Sequence, residues 1–186
     1  VYLECGEYAK AKAIVDELVA LANEKDALFW KAFATMNQGW LFARTNKAAD
    51  SIHKITSGLA MWRSTGAGAW RPLYLSRLAE AYAMEGQFDA AQHSIREANI
   101  ALQSTKERWC NAELDRVTGE IALLSPEPDE EKAEAHFRGA LEIARAQQAK
   151  SWELRAAMSM ARLWRDQGKR EDARELHHPA SARPSG

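Results

Sequence analysis

An all-α fold of stacked helical hairpins is predicted by three features of the 186-residue sequence. A turn signature returns roughly every 40 residues, in the range of periods that marks stacked repeats. Apolar residues recur at three- and four-residue steps on both sides of each turn, the pattern of amphipathic helices. No alternating Val/Ile/Thr run bounded by turn residues is present to suggest a strand.

The signature is a turn-former followed two places later by an apolar residue and five places later by a small one. Its best copies are Gly6 with Tyr8 and Ala11, Gly86 with Phe88 and Ala91, and Gly168 with Ala173. Weaker copies fall at Asn46 with Ala48 and Ser51, and at Pro128 with Ala133. The anchors therefore stand at positions 6, 46, 86, 128 and 168, an even series in which only the step to 128 is slightly longer.

In the first unit only the turn and second helix are expected, because Tyr2 is nearly all that precedes Gly6. The chain also opens at Val1 without a methionine, so a missing upstream part is expected. In the second unit Gly39 and Phe42 precede the turn, and Ile52, Ile55 and Leu59 follow it. The third unit is clearest. Leu75, Leu78, Ala79 and Tyr82 form one stripe, and Phe88, Ala91, Ile95, Ala98 and Leu102 form the other. Gly86 between them suits the left-handed residue that ends a helix. Ala79 and Ala91 are predicted at the helix crossing, where close approach excludes bulk. The fourth unit offers Trp109, Ala112, Leu114 and Gly119, then Ala133, Phe137, Ala140 and Leu141. The fifth offers Trp152, Met160, Ala161 and Trp164, then Ala173 and Leu176. One repeat domain over 1–176 is expected, with units at about 1–25, 26–65, 66–105, 106–148 and 149–176. The final stretch from His177 to Gly186 abandons helical periodicity and reads as a disordered or expression-derived tail.

The unit resembles tetratricopeptide-like repeats. Ala79, Tyr82, Gly86, Ala91 and Ala98 match that family's order of small residue, aromatic, glycine and two small residues. Gly39, Phe42, Asn46, Ser51 and Gly58 follow the same order. The resemblance implies a right-handed α-α superhelix, with units longer than the usual ~34 residues. Two segments carry a narrower resemblance. They are Gly58–Gly66 continuing to Trp70-Arg-Pro72, and Ala140–Ala144 with Lys150–Ala157 and Leu163–Gly168. These look like the C-terminal repeat region of large bacterial signalling proteins, in which an adenylate/guanylate cyclase domain and a nucleotide-binding ATPase domain precede the repeats. The resemblance implies signal transduction in the cytoplasm.

Composition narrows the function classes. Hydrophobic residues make up 46% and charged residues 27%, with a formal net charge of −1. No basic field draws nucleic acid or anionic lipid. No apolar run approaches the ~20 residues of a membrane span, so neither nucleic acid nor membrane insertion is expected. Cys5 and Cys110 have no paired spacing and read as small hydrophobes in a reducing compartment. No Gly-x-x-x-x-Gly-Lys-Ser/Thr loop occurs, and Gly66-Ala-Gly68 is an inter-repeat loop. His53 and His93 stand at equivalent places after their anchors, off the apolar stripe, and His136 is read as outward too. His177-His178 lacks a fixed third ligand. The acidic run Glu127–Glu134 reads as a helix N-terminus, not a calcium loop. Trp30, Trp62, Trp109, Trp152 and Trp164 are expected to pack between helices. No catalytic, cofactor or metal residues are assigned.

In a hairpin superhelix the first helices of the units line the concave face. The candidates there are Asn37, Trp40 and Arg44, then Arg77, Glu80 and Met84, then Arg116, Glu120 and Arg162. Their mixture of Arg, Trp, Met and amide suits a protein or peptide partner. A non-catalytic interaction module, the sensor or scaffold part of a larger signalling protein, is the expected function. The alternatives are a small-peptide sensor and an all-helical enzyme with its pocket in the groove. An exposed repeat edge at the first unit also predicts a homodimer.

Overall fold

The computed structural model describes residues 6–169 and 171–172. Eight helices follow one another: α1 (Tyr8–Glu24), α2 (Leu28–Arg44), α3 (Ala48–Ser64), α4 (Arg71–Met84), α5 (Phe88–Thr105), α6 (Asn111–Leu124), α7 (Glu130–Ala146) and α8 (Lys150–Asp166). No strand occurs among the described residues. Two compact units are formed: α1–α5 belong to the first, which ends at Cys110, and α6–α8 to the second, which begins at Asn111. In the first unit each helix packs on the next, and α2 also meets α4. In the second α6, α7 and α8 all pack on one another. The expected Ala173, Leu176, Cys5, Tyr2 and the 177–186 tail lie outside the described residues.

The helices end by one device. Gly6, Asp26, Asn46, Gly66, Gly86 and Lys106 have positive φ and stand at a constant spacing along the chain; Gln148 and Gly168 repeat it. Each of these is a left-handed residue just past a helix or, at Gly6, just before α1. After α4 the Gly86 N–H donates to the Ala83 carbonyl at 3.0 Å and the Gln87 N–H to that of Tyr82 at 2.9 Å. The same crossed pair closes α7, from Gln148 to Arg145 and from Ala149 to Ala144, and α8, from Gly168 to Arg165 and from Lys169 to Trp164. These Schellman turns satisfy carbonyls that a helix end would otherwise leave orphaned. The sequence signature captured only every second turn, and Asp26, Gly66, Lys106 and Gln148 stand outside it.

The α6–α7 connection differs because Pro128 stands at the anchor, and proline cannot adopt positive φ. The chain instead turns from Ser125 to Asp129, with the Asp129 N–H bonded to the Ala122 carbonyl at 3.2 Å. Asp129 then caps α7, its Oδ1 accepting from the Lys132 N–H at 2.9 Å. Glu130 and Glu131 follow in the first turn, where the helix dipole favours carboxylates. The acidic run is thus a helix start, and the longer connection is why the repeat interval widens at this turn.

Packing follows the small residues. A Cβ on Gly39 of α2 would lie 2.7 Å from Ile55 Cγ1 of α3, and one on Gly119 of α6 would lie 2.6 Å from Phe137 Cε1 of α7. Ala79 and Ala91 are fully buried in α4 and α5. The first unit centres on Met36, Ile55, Trp62, Tyr74 and Leu78, and the second on Phe137, Leu141, Met160 and Leu163. A fully buried Phe or Leu contributes about 1.5–3 kcal/mol, so these contacts, more than propensity, hold the hairpins together. Among the described residues no helix is long and apolar enough to cross a membrane.

Gly119→Val is expected to cost about 1–3 kcal/mol by forcing Phe137 out of its seat, read from the urea midpoint of unfolding. Gln148→Gly should raise stability by about 1 kcal/mol, because it removes the Cβ penalty of the left-handed conformation. An unchanged midpoint in both variants would refute this account of the turns and crossings.

Candidate functional site

The residues assigned to a concave face are brought together in pairs of first helices, but mostly as closed seams. In the first unit the seam joins α2 and α4. The guanidinium of Arg77 lies 4.0 Å from the centre of the Trp40 ring, a cation–π stack. Arg77 is completely buried, and Trp40 and Glu80 are nearly so. Glu80 faces Arg44 at 3.6 Å and Arg77 at 3.9 Å. Asn37 donates from Nδ2 to the Phe33 carbonyl at 2.8 Å, and its side chain also meets the Tyr74 phenol. Burial pushes the Tyr74 hydroxyl well above the ordinary tyrosine range, and the charge of Arg77 and the Asn37 bond only partly oppose it.

In the second unit the seam joins α6 and α8. The buried carboxylate of Glu113 holds two guanidinium forks. Arg116 donates from Nε at 2.9 Å and from Nη2 at 2.9 Å; Arg155 donates from Nε at 3.1 Å and from Nη2 at 2.8 Å. Glu120 Oε1 accepts from Arg116 at 3.0 Å, from Arg162 at 2.9 Å and from the Ser159 hydroxyl at 2.6 Å. Bidentate guanidinium–carboxylate pairs are among the stronger protein hydrogen bonds, and they offset the cost of taking these charges out of water.

Most of the residues assigned to the concave face thus lie in seams between first helices. Arg77, Arg116, Trp40 and Glu80 do not line an open groove, because their side chains are spent on holding first helices together. α4 has no solvent-facing stripe at all from Pro72 to Ala81. Arg44, Met84 and Arg162 remain exposed, and Asn37 and Glu120 partly so. Sequence reasoning missed Tyr74, Glu113, Arg155 and Ser159. A signal was available: Glu113 with Arg155, and Glu120 with Arg162, are opposite charges one repeat apart, the same step that leads from turn residue Lys106 to turn residue Gln148.

A second feature was also read differently. Trp62 is buried as expected, but Trp30 is 51% and Trp109 38% exposed. They belong to an aromatic file along the first unit. Trp30 meets Phe33 at 6.1 Å between ring centres, Phe33 meets Trp70 at 5.7 Å, and Trp70 meets Trp109 at 5.3 Å. Phe29 joins at 5.1 Å from Trp30. Phe29 and Trp30 sit in the first turn of α2, Phe33 one turn further on, and Trp70 and Trp109 just before α4 and α6. Glu107 ties the file together, Oε2 accepting from the Trp70 backbone N–H at 3.3 Å and from Trp109 Nε1 at 3.1 Å.

The histidines divide. His53 and His93 are exposed. His136 is not simply outward, since its Nδ1 lies 2.8 Å from Asp115 Oδ1 across the α6–α7 packing. Among the described residues no three His, Cys, Asp or Glu side chains converge as a metal-ligand set.

Glu113→Ala should cost about 3–5 kcal/mol, because it strands two buried guanidinium groups. Adding Arg116→Met and Arg155→Met should recover most of the loss; urea unfolding of both variants decides this, and no recovery would mean that packing and not charge was lost. Tyr74 gives an alkaline test. Its folded-state pKa lies above the unfolded value of about 10, so its stabilising contribution is complete below that pH and is lost as pH rises beyond it. Tyr74→Phe should flatten the fall in unfolding midpoint above about pH 10; an identical fall in both proteins would contradict the assignment.

Compared with protein-family models and with curated proteins, the chain matches none.

Proposed function

We propose that this chain is a non-catalytic protein-interaction module, a tetratricopeptide-like right-handed superhelix that serves as the sensor or scaffold part of a cytoplasmic bacterial signalling protein of the cyclase/ATPase type. Support for the repeat reading comes from the even spacing of left-handed turns and from the small residues at each helix crossing. The signalling context rests on the resemblance of the segments around Trp62 and Trp152.

The observation that carries the binding reading is the aromatic file in which exposed Trp30, Trp70 and Trp109 are linked through half-buried Phe33. Tryptophan supplies large contact area at small entropic cost, and contiguous exposed aromatics mark interaction surfaces. The first two steps are nearly perpendicular, 85° between Trp30 and Phe33 and 83° between Phe33 and Trp70, and Trp109 is inclined at 61° to Trp70. Such a file presents ring faces and edges to water. An extended proline-containing peptide suits exposed aromatic rings, because its pre-set conformation loses little entropy on docking. A partner helix would need one continuous apolar trough instead.

Calorimetric titration with proline-rich and with amphipathic helical peptides tests this reading. A proline-rich peptide should bind, and Trp30→Ala or Trp109→Ala should weaken it by about tenfold or more with the far-ultraviolet dichroism unchanged. Binding that survives both substitutions, or that favours the helical peptide, would overturn it.

A further inference from the structure

A second recessed surface lies in the first unit and shares no residue with the aromatic file. Helices α3 and α5, the second helices of successive hairpins, both pack on α4 but not on each other. The residues that face across the gap are small: Thr56 and Ala60 on α3, Ala90 and Ser94 on α5. The result is a cavity of about 290 Å³. At ~30 Å³ per water, that is room for a body of roughly ten non-hydrogen atoms.

Its floor is apolar, made by Leu59 of α3 with Leu75, Leu78 and Tyr82 of α4. Its rim is charged and unbalanced. Arg63 and Arg71 stand there with His93, against the single carboxylate of Glu97. Arg71 Nη2 is bonded to Glu97 at 2.9 Å, which neutralises that pair. Arg63, in the last turn of α3, is exposed and enters no ion pair among the described residues. An apolar floor with one unspent guanidinium at its mouth is complementary to a molecule with an apolar body and one anionic head.

We propose that the α3–α4–α5 groove binds a small amphipathic carboxylate, its hydrocarbon body on Leu59, Leu75, Leu78 and Tyr82 and its head on Arg63. A ligand with a body larger than about ten heavy atoms would protrude. An extended peptide would bring backbone amides onto a floor that offers them no partner, at a desolvation cost.

Octanoate, octanol and octylamine, titrated calorimetrically into the full chain, provide the test. Octanoate should bind once per chain and most tightly of the three. Arg63→Glu, an exposed substitution that leaves the fold alone, should weaken it by about tenfold or more, the range of a charge-assisted contact. Ala90→Leu, which fills the gap, should abolish binding while the unfolding midpoint holds. Octanol binding as tightly as octanoate, equal binding by Arg63→Glu, or no binding of octanoate would overturn the proposal. So would a dimer by light scattering that Ala90→Leu dissociates, since the groove would then belong to a second copy of the chain.

Discussion

A reversal of backbone handedness at even steps, from Gly6 to Lys106 and again from Gln148 to Gly168, is the constraint on which the remaining structure depends. From Asp26 onward each left-handed residue ends one helix and leads into the next, so helix length is set by turn spacing and not by intrinsic propensity. With lengths fixed, the crossing points fall at fixed offsets from the turns. Small residues are then required there: Gly39 against Ile55, Ala79 with Ala91, Gly119 against Phe137. Four of these turns adopt the left-handed form with a side chain, at Asp26, Asn46, Lys106 and Gln148, at about 1–2 kcal/mol for Lys106 and Gln148 and less for Asp and Asn. That they do so at Lys106 and Gln148 shows that packing on both sides of a turn outweighs its local preference.

Once hairpins are set, their first helices must meet, and here the chemistry changes. The second helices bury Ala, Ile and Phe. The first helices bury Arg and Glu, with Arg77 over Trp40 in one unit and Glu113 between Arg116 and Arg155 in the other. A buried ion network is a weak source of net stability but a demanding one geometrically, since any register shift leaves a charge unpaired. Apolar side chains tolerate a slide along the helix axis. Guanidinium forks on a shared carboxylate do not. The seams thus fix the register between hairpins, which the interchangeable alanines at the crossings cannot do alone. In committing these side chains to each other, the chain also removes them from the surface on which a partner would be sought.

The fold was largely legible in the sequence, because glycine at a helix end and small residues at a crossing are local necessities with few substitutes. Gly86, Ala91 and Phe137 each occupy the role their position implied. Of the alternate turns, Gly66 was readable as part of an inter-repeat loop, whereas Asp26, Lys106 and Gln148 carry no turn preference strong enough to be read singly. The candidate site was half legible. Position around the helix put Arg77 and Trp40, and Arg116 and Glu120, on one face, but periodicity cannot distinguish a face open to water from one closed by its neighbour. Trp30 and Trp109 failed in the opposite direction. Large aromatics are expected inside, yet a residue in the first turn of a helix or just before it can extend past the end of its neighbour and remain uncovered.

The two surfaces left open follow from the same economy. Where first helices approach, Arg77, Glu113 and Arg116 are buried in the seams, while the aromatic file of the first unit keeps Trp30, Trp70 and Trp109 in water. Where second helices diverge, Thr56, Ala60, Ala90 and Ser94 are too short to bridge the gap and leave an apolar floor beneath it. Helices α3 and α5 each pack on α4 and not on one another, so the gap between them stays open wherever the side chains facing it are short. Tyr82 shows the coupling most directly. It accepts the Gln87 N–H at its carbonyl to end α4, while its side chain lines the groove floor. The residue that helps define the turn therefore also defines the cavity, so the repeat geometry and the space available to a ligand cannot vary independently.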